Sequence, residues 1–180
     1  MVIKNKIWEE MKQAHANVLC VKWYTDKQRK HERYYQMFIA LVASGGTFGY
    51  LLNEIAPLIS SSIIAFVSVV KALFPHFIQP EKELCILDGL MDYYNGYMTE
   101  LEHLYFRYET EDISDKETEE FLYHLKKEEG GKQSTFNRLV RSIPQKRHEK
   151  IIKESETYIN RVYYNNYEQE KQYNNSAWDR

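Results

Sequence analysis

The chain has 180 residues, 24 Lys and Arg against 26 Asp and Glu, and only two cysteines. That length holds one ordinary domain. Two thiols, Cys20 and Cys85, exclude a disulfide framework and a multi-cysteine zinc site, and a net charge of −2 without a broad basic face argues against duplex nucleic acid as a partner.

The average hides a sharp partition. Residues 1–33 carry eight basic and four acidic side chains, residues 34–80 carry only Glu54 and Lys71, and the remaining hundred are net acidic. A 47-residue stretch with two charges, inside a chain that is otherwise densely charged, predicts membrane insertion.

In chain order, Ile3, Ile7, Met11, Ala14, Val18 and Val21 recur at spacings of four and three. They predict an amphipathic helix within residues 1–33. Its end is basic, and Lys27, Arg29, Lys30 and Arg33 are assigned to anionic lipid headgroups, each base near such a surface contributing about 1 kcal/mol. From Tyr34 to Leu52 the chain is uncharged, and as a helix it would span about 28 Å, close to the hydrocarbon core of a bilayer. Residues 53–57 supply a turn, with Pro57 suited to the start of the next helix. A second apolar run then reaches Ile78, with Pro75 and Pro80 punctuating its far end.

Residues 34–78 thus read as a two-transmembrane hairpin. Basic residues lie before the first span and none lies between the spans, so both termini are expected in the cytoplasm. The competing readings are a hairpin buried in a soluble bundle and a cleaved signal peptide. The charged, helix-patterned 33 residues ahead of the run count against the latter.

Within the hairpin, Gly45 and Gly49 form a Gly-x-x-x-Gly pair, while Ser61, Ala65, Ser68 and Ala72 line one face of the second run. Small residues let helix backbones approach closely in lipid, so these positions are assigned to packing within the hairpin or to packing between protomers around a pore. Lys71, about 10 Å from its span's cytoplasmic end, either snorkels to the surface or faces the lumen.

Residues 79–165 are expected to form a helical cytoplasmic domain. Leu84, Leu87, Met91, Tyr94, Met98, Leu101, Tyr105 and Tyr108 alternate spacings of three and four for over three heptads, a seam assigned to self-association in a coiled coil or bundle. Ser114 with Glu117 reads as a capping box opening a helix that is expected to stop at Gly130-Gly131. Ile143-Pro144 breaks the next segment, and a last helix places Ile151, Ile152, Ser155, Tyr158, Ile159 and Val162 on one face. The chain from Tyr163 is polar and expected to fray, with residues 166–180 a flexible tail. The fold class is therefore all-α: a two-transmembrane hairpin with long cytoplasmic helices.

No phosphate loop, nucleophile elbow or zinc spacing occurs. Glu100 and His103 have the Glu-x-x-His spacing of di-iron bundles but lack the second pair such a centre needs. His15 with Cys20 lacks a third, orienting group. No enzyme, cofactor or metal is expected.

Trp23-Tyr24 and Arg33-Tyr34 ahead of the first span, Gly45-Gly46 within it, Pro57 in the turn, and Glu154-x-x-x-Tyr158-Ile159 in the last helix occur in an order that resembles the SLATT family. These are two-transmembrane effectors found with nucleotide-sensing bacterial conflict systems, and the resemblance covers residues 3–165. It implies a homo-oligomeric, pore-forming or membrane-disrupting effector of antiviral defence in the bacterial inner membrane. No nucleotide-binding domain is fused to this chain, so the resemblance implies a separate sensor or signal-producing protein as partner. The alternative is a non-conducting membrane anchor or scaffold that recruits a partner through its cytoplasmic helices.

Overall fold

The computed structural model describes residues 2–48, 56–77, 79–140 and 142–164, and among them there are helices and no strand. In chain order these are α1 (Val2–Phe48), α2 (Ala56–Phe77), α3 (Glu81–Glu109), α4 (Asp115–Leu139) and α5 (Gln145–Ile159), the last running into one π-helical turn, Asn160–Tyr164. The side chains of residues 43–60, 63–64 and 74–78 are outside the description.

α1 does not break between residues 33 and 34. It is one helix of 47 residues, about 70 Å long at the α-helical rise. The change from basic to apolar side chains leaves the helix unbroken, because none of Lys, Arg, Glu, Tyr and Gln stops a helix as Pro or Gly does.

The chain forms two compact units. One comprises the segment up to Trp23 together with Leu87 onward; the other is Tyr24–Ile86. In the first, Ile3, Ile7, Met11, Ala14 and Val21 of α1 are buried as their spacing predicts. α1 and α3 run antiparallel there: Lys4 Nζ is 2.8 Å from Glu109 Oε1, the Trp8 and Tyr105 rings are 5.7 Å apart, and Tyr97 donates to Glu10 Oε2 at 3.4 Å. α5 joins through Ile151, which packs with Ala16, Cys20 and Phe136, and through Ser155, whose hydroxyl donates to the Lys12 carbonyl at 2.6 Å.

α4 opens with the expected capping box. Ser114 Oγ accepts from the Glu117 N–H, and Glu117 Oε2 accepts from the Ser114 N–H at 3.0 Å. It does not stop at the glycine pair but continues to Leu139. A glycine C-cap needs positive φ, and no described glycine has one. Beyond the pair, Phe136 packs edge-on to Tyr94 at 6.1 Å and Leu139 is buried, so tertiary packing outweighs the local propensity to end. A Cβ at either Gly130 or Gly131 would meet nothing within 4 Å. Gly130→Ala and Gly131→Ala should therefore each stabilise the chain by about 0.5–1 kcal/mol, seen as a higher midpoint in thermal circular dichroism.

The chain past Ile159 is not frayed at once: Tyr163 is buried, its hydroxyl donates to Glu102 Oε1, and its ring lies 6.3 Å from both Trp8 and Tyr105. Residues 165–180, which include the expected flexible tail, are outside the described residues.

In the second unit, the Phe38 ring of α1 meets the Phe66 ring of α2 edge-on at 6.3 Å, so the two apolar runs pair. α2 runs through Pro75, which sits in its last turn, and α3 restarts after Pro80, whose carbonyl accepts from Glu83 and Leu84 N–H. Among the described residues no helix is long and apolar enough to cross a membrane.

Candidate functional site

Several apolar side chains of the second unit are exposed. Tyr34, Met37 and Leu41 of α1 and Phe66, Val69 and Leu73 of α2 are exposed, Leu41 to 69% and Phe66 to 60%. Val67 and Val70 are only half-buried. These exposed apolar side chains lie in a 47-residue stretch with two charges.

Ser61, Ala65, Ser68, Lys71 and Ala72 are all on the exposed surface of α2. Gly49 is outside the described residues, and Gly45 lies within α1 with its surroundings undescribed. Arg29, Lys30 and Arg33 are exposed and Lys27 is half-buried, all within two turns before Tyr34, which is exposed.

The α3 seam is placed differently from its assignment. Leu84, Leu87, Tyr94, Met98, Leu101 and Tyr105 are buried within a single chain, and Met91 and Tyr108 are half-buried. The periodicity correctly marks a packing face. Its partners come from the same chain, so the seam is not a free surface for joining copies.

Spacing alone did not reveal that this seam is lined by a polar chain. Tyr94 OH lies 2.8 Å from Gln133 Oε1 and 3.2 Å from Glu129 Oε1; Asn17 Nδ2 donates to Gln133 Oε1 at 3.3 Å; Gln13 Nε2 donates to Asn17 Oδ1 at 3.0 Å. Alongside it, Glu10 accepts from Tyr97 and pairs with Lys126. Burial is the first cause of the upward shift of the Tyr94 and Tyr97 hydroxyls, with Glu129 and Glu10 adding to it, and burial also raises the Glu129 carboxyl. The sequence signal for this network was the tyrosine content of the seam, since each ring brings a polar tip that must find a partner.

An open groove of about 730 Å³ runs between α1 and α4, lined among others by Val2, Lys6, Glu9, Glu119 and Tyr123. Lys6 pairs with Glu119 across it at 2.9 Å.

The weighed catalytic constellations do not assemble. Cys20 is buried and its thiol is pushed up to about 11 by desolvation, against which the Arg147 charge works, so it stays protonated at neutral pH. His15 stacks on Tyr158 at 4.3 Å with the rings nearly parallel. Glu100 and His103 are exposed on α3, and among the described residues no group of three or more His, Cys, Asp or Glu is placed to hold a metal ion.

His15 nevertheless makes stability pH-dependent. Burial lowers its pKa below the ordinary 6.5, and its Nδ1 is buried without a hydrogen-bond partner. The unfolded chain therefore takes up the proton first. This contribution is complete above about pH 6.5 and is lost as pH falls toward the folded-state value. Glu129 acts with the opposite sign, since its raised pKa favours the folded state below the ordinary carboxylate value. Comparing the chain with His15→Phe isolates the histidine: between pH 8 and 5.5 the melting temperature of the parent should fall further than that of the variant.

No protein-family model, curated protein or solved structure matches this chain.

Proposed function

We propose that this chain is a membrane-embedded effector of a bacterial anti-phage, abortive-infection system, similar to SLATT proteins, whose 34–78 hairpin forms a pore or otherwise breaches the inner membrane. The observation that carries the reading is the outward display of Tyr34, Met37, Leu41, Phe66, Val69 and Leu73 in a stretch with two charges. In water such a surface is costly to keep exposed, whereas acyl chains solvate it.

Three features support the remainder. The exposed bases Arg29, Lys30 and Arg33 precede the outward apolar residues, as a contact with anionic headgroups on the cytoplasmic side requires. The exposed stripe of Ser61, Ala65, Ser68 and Ala72 is suited to packing against a second copy, and Lys71 adjoins it. The first unit, with a polar chain running through its apolar seam, supplies an element whose packing a separate sensor or nucleotide-signal-producing partner shifts by binding one arrangement better than another.

The test is fractionation followed by a dye measurement of membrane potential in cells overexpressing the full chain. The expected result is a membrane fraction resistant to carbonate and high salt, together with depolarisation and slowed growth. A membrane-bound chain that cells tolerate would favour the anchor reading instead. Extraction by carbonate without detergent would end both membrane readings.

A further inference from the structure

Charge is distributed unevenly along the first unit. Residues 109–120 hold seven acidic side chains and one base, whereas residues 138–150 hold five bases, Arg138, Arg141, Lys146, Arg147 and Lys150, against Glu149 alone. Arg138, Lys146 and Lys150 are exposed and Arg147 is half-buried. Arg147 and Lys150 share a single carboxylate, Glu154, at 4.0 and 3.7 Å. Net positive charge is therefore left at the corner where α4 passes into α5.

Contacts inside this unit set the two charge runs at opposite ends. α4 runs parallel to α1: Lys6 meets Glu119 at 2.9 Å, Asn17 meets Gln133 at 3.3 Å, and Phe136 packs on Ala16 and Cys20. α5 returns antiparallel: Ile151 packs on the same two residues, Ser155 donates to the Lys12 carbonyl, and the Tyr163 ring lies 6.3 Å from Trp8. The acidic run thus begins beside Lys4, which is 2.8 Å from Glu109, at the start of α1. The basic corner lies at the other end, where Leu19, Trp23, Phe136 and Ile143 all pack against the cluster of Ala16, Cys20 and Ile151. Trp23 is the last residue of α1 in this unit.

We propose that the α4–α5 corner docks on anionic lipid headgroups through Arg138, Lys146 and Lys150. The proposal rests on the reading of residues 34–78 as a membrane hairpin, and adds to the Lys27–Arg33 segment a contact made by the folded bundle. α1 leaves the first unit at the corner's end, so on that reading the basic end is the one tethered to the bilayer. An anionic leaflet attracts each base close to it, and the attraction decays within a Debye length, about 8 Å at physiological salt. From Lys6 to Trp23 α1 rises about 25 Å, so with the corner docked the acidic run lies beyond the reach of the surface. Turned over, the same unit would press seven acids against like charge. The polarity selects one orientation.

The experiment uses the full chain in lipid nanodiscs of phosphatidylcholine, with or without phosphatidylglycerol. A fluorophore is placed by Ser142→Cys, an exposed position in the corner, in a Cys85→Ser background; buried, protonated Cys20 stays unlabelled. Quenching by headgroup-nitroxide lipid reports contact with the surface. The expected result is stronger quenching in phosphatidylglycerol discs, lost at high salt, while a label at Glu120→Cys in the acidic run is quenched equally in both. Removing two bases by Arg138→Gln with Lys146→Gln should weaken the docking equilibrium at least tenfold. Lys116→Gln with Lys127→Gln, an equal charge change at exposed positions of α4, should leave it unchanged. Equal quenching in the two discs, or an unaltered response in the Arg138→Gln, Lys146→Gln variant, overturns the proposal; so does displacement by inorganic phosphate at constant ionic strength, which would assign the corner to a free phosphate. A chain that inserts without corner quenching leaves the hairpin reading standing. A chain that carbonate strips from membranes ends that reading, and flotation with phosphatidylglycerol vesicles then decides the corner: flotation weakened by the Arg138→Gln, Lys146→Gln pair supports it, and unchanged flotation overturns it.

Discussion

Leu101→Asp should abolish cooperative unfolding of the first unit rather than only separate copies of the chain. Leu101 is fully buried, as is Leu87 one heptad pair earlier. Removing the leucine packing costs about 2–5 kcal/mol, and an unpaired carboxylate in its place adds several more unless it takes up a proton. Against a total stability of about 5–15 kcal/mol for a domain of ordinary size, one such change consumes most of the margin. The measurement is a circular dichroism melt with sedimentation alongside. A seam that joined copies would lose oligomer size and keep its melt, whereas a seam filled by its own chain loses the melt first.

The second large effect is expected from Gly45→Leu with Gly49→Leu. Leucine is a better helix former than glycine and more apolar, so the first run should stay helical and stay in the membrane fraction. What the substitution removes is close backbone approach, the means by which small residues hold helices together where lipid supplies no hydrophobic drive. Losing about 1.4 kcal/mol at one such contact is already a tenfold change in association, and a pore repeats the contact in every subunit. Depolarisation by the overexpressed double variant should therefore fall at least tenfold at equal membrane abundance. Undiminished depolarisation would show that these glycines are not a packing face.

Local signals in the sequence were read well because local chemistry decides them. The Ile3, Ile7, Met11, Ala14 and Val21 stripe, the Ser114 and Glu117 capping box and the Ile143-Pro144 break each depend on residues a few positions apart. What failed needed knowledge of partners distant in sequence. The Gly130-Gly131 pair reads as a stop until Phe136 and Leu139 are seen to pack beyond it, and the α3 heptads read as an intermolecular seam until Trp8, Glu10 and Phe136 fill it from the same chain. The unbroken α1 was hidden by a change in side-chain character that leaves helix propensity intact. Of the candidate site, the apolar hairpin was legible from charge density alone. The polar chain of Tyr94, Gln133 and Asn17 was not, because it exists only relative to what folds against the seam.

The continuity of α1 has a mechanical side. A hinge absorbs motion, but an unbroken helix hands it on. A roll or axial slide imposed where Trp8 meets Tyr105 has no Pro or Gly joint in which to dissipate before Met37, and at 3.6 residues per turn even one added residue between them re-aims everything downstream by about 100°.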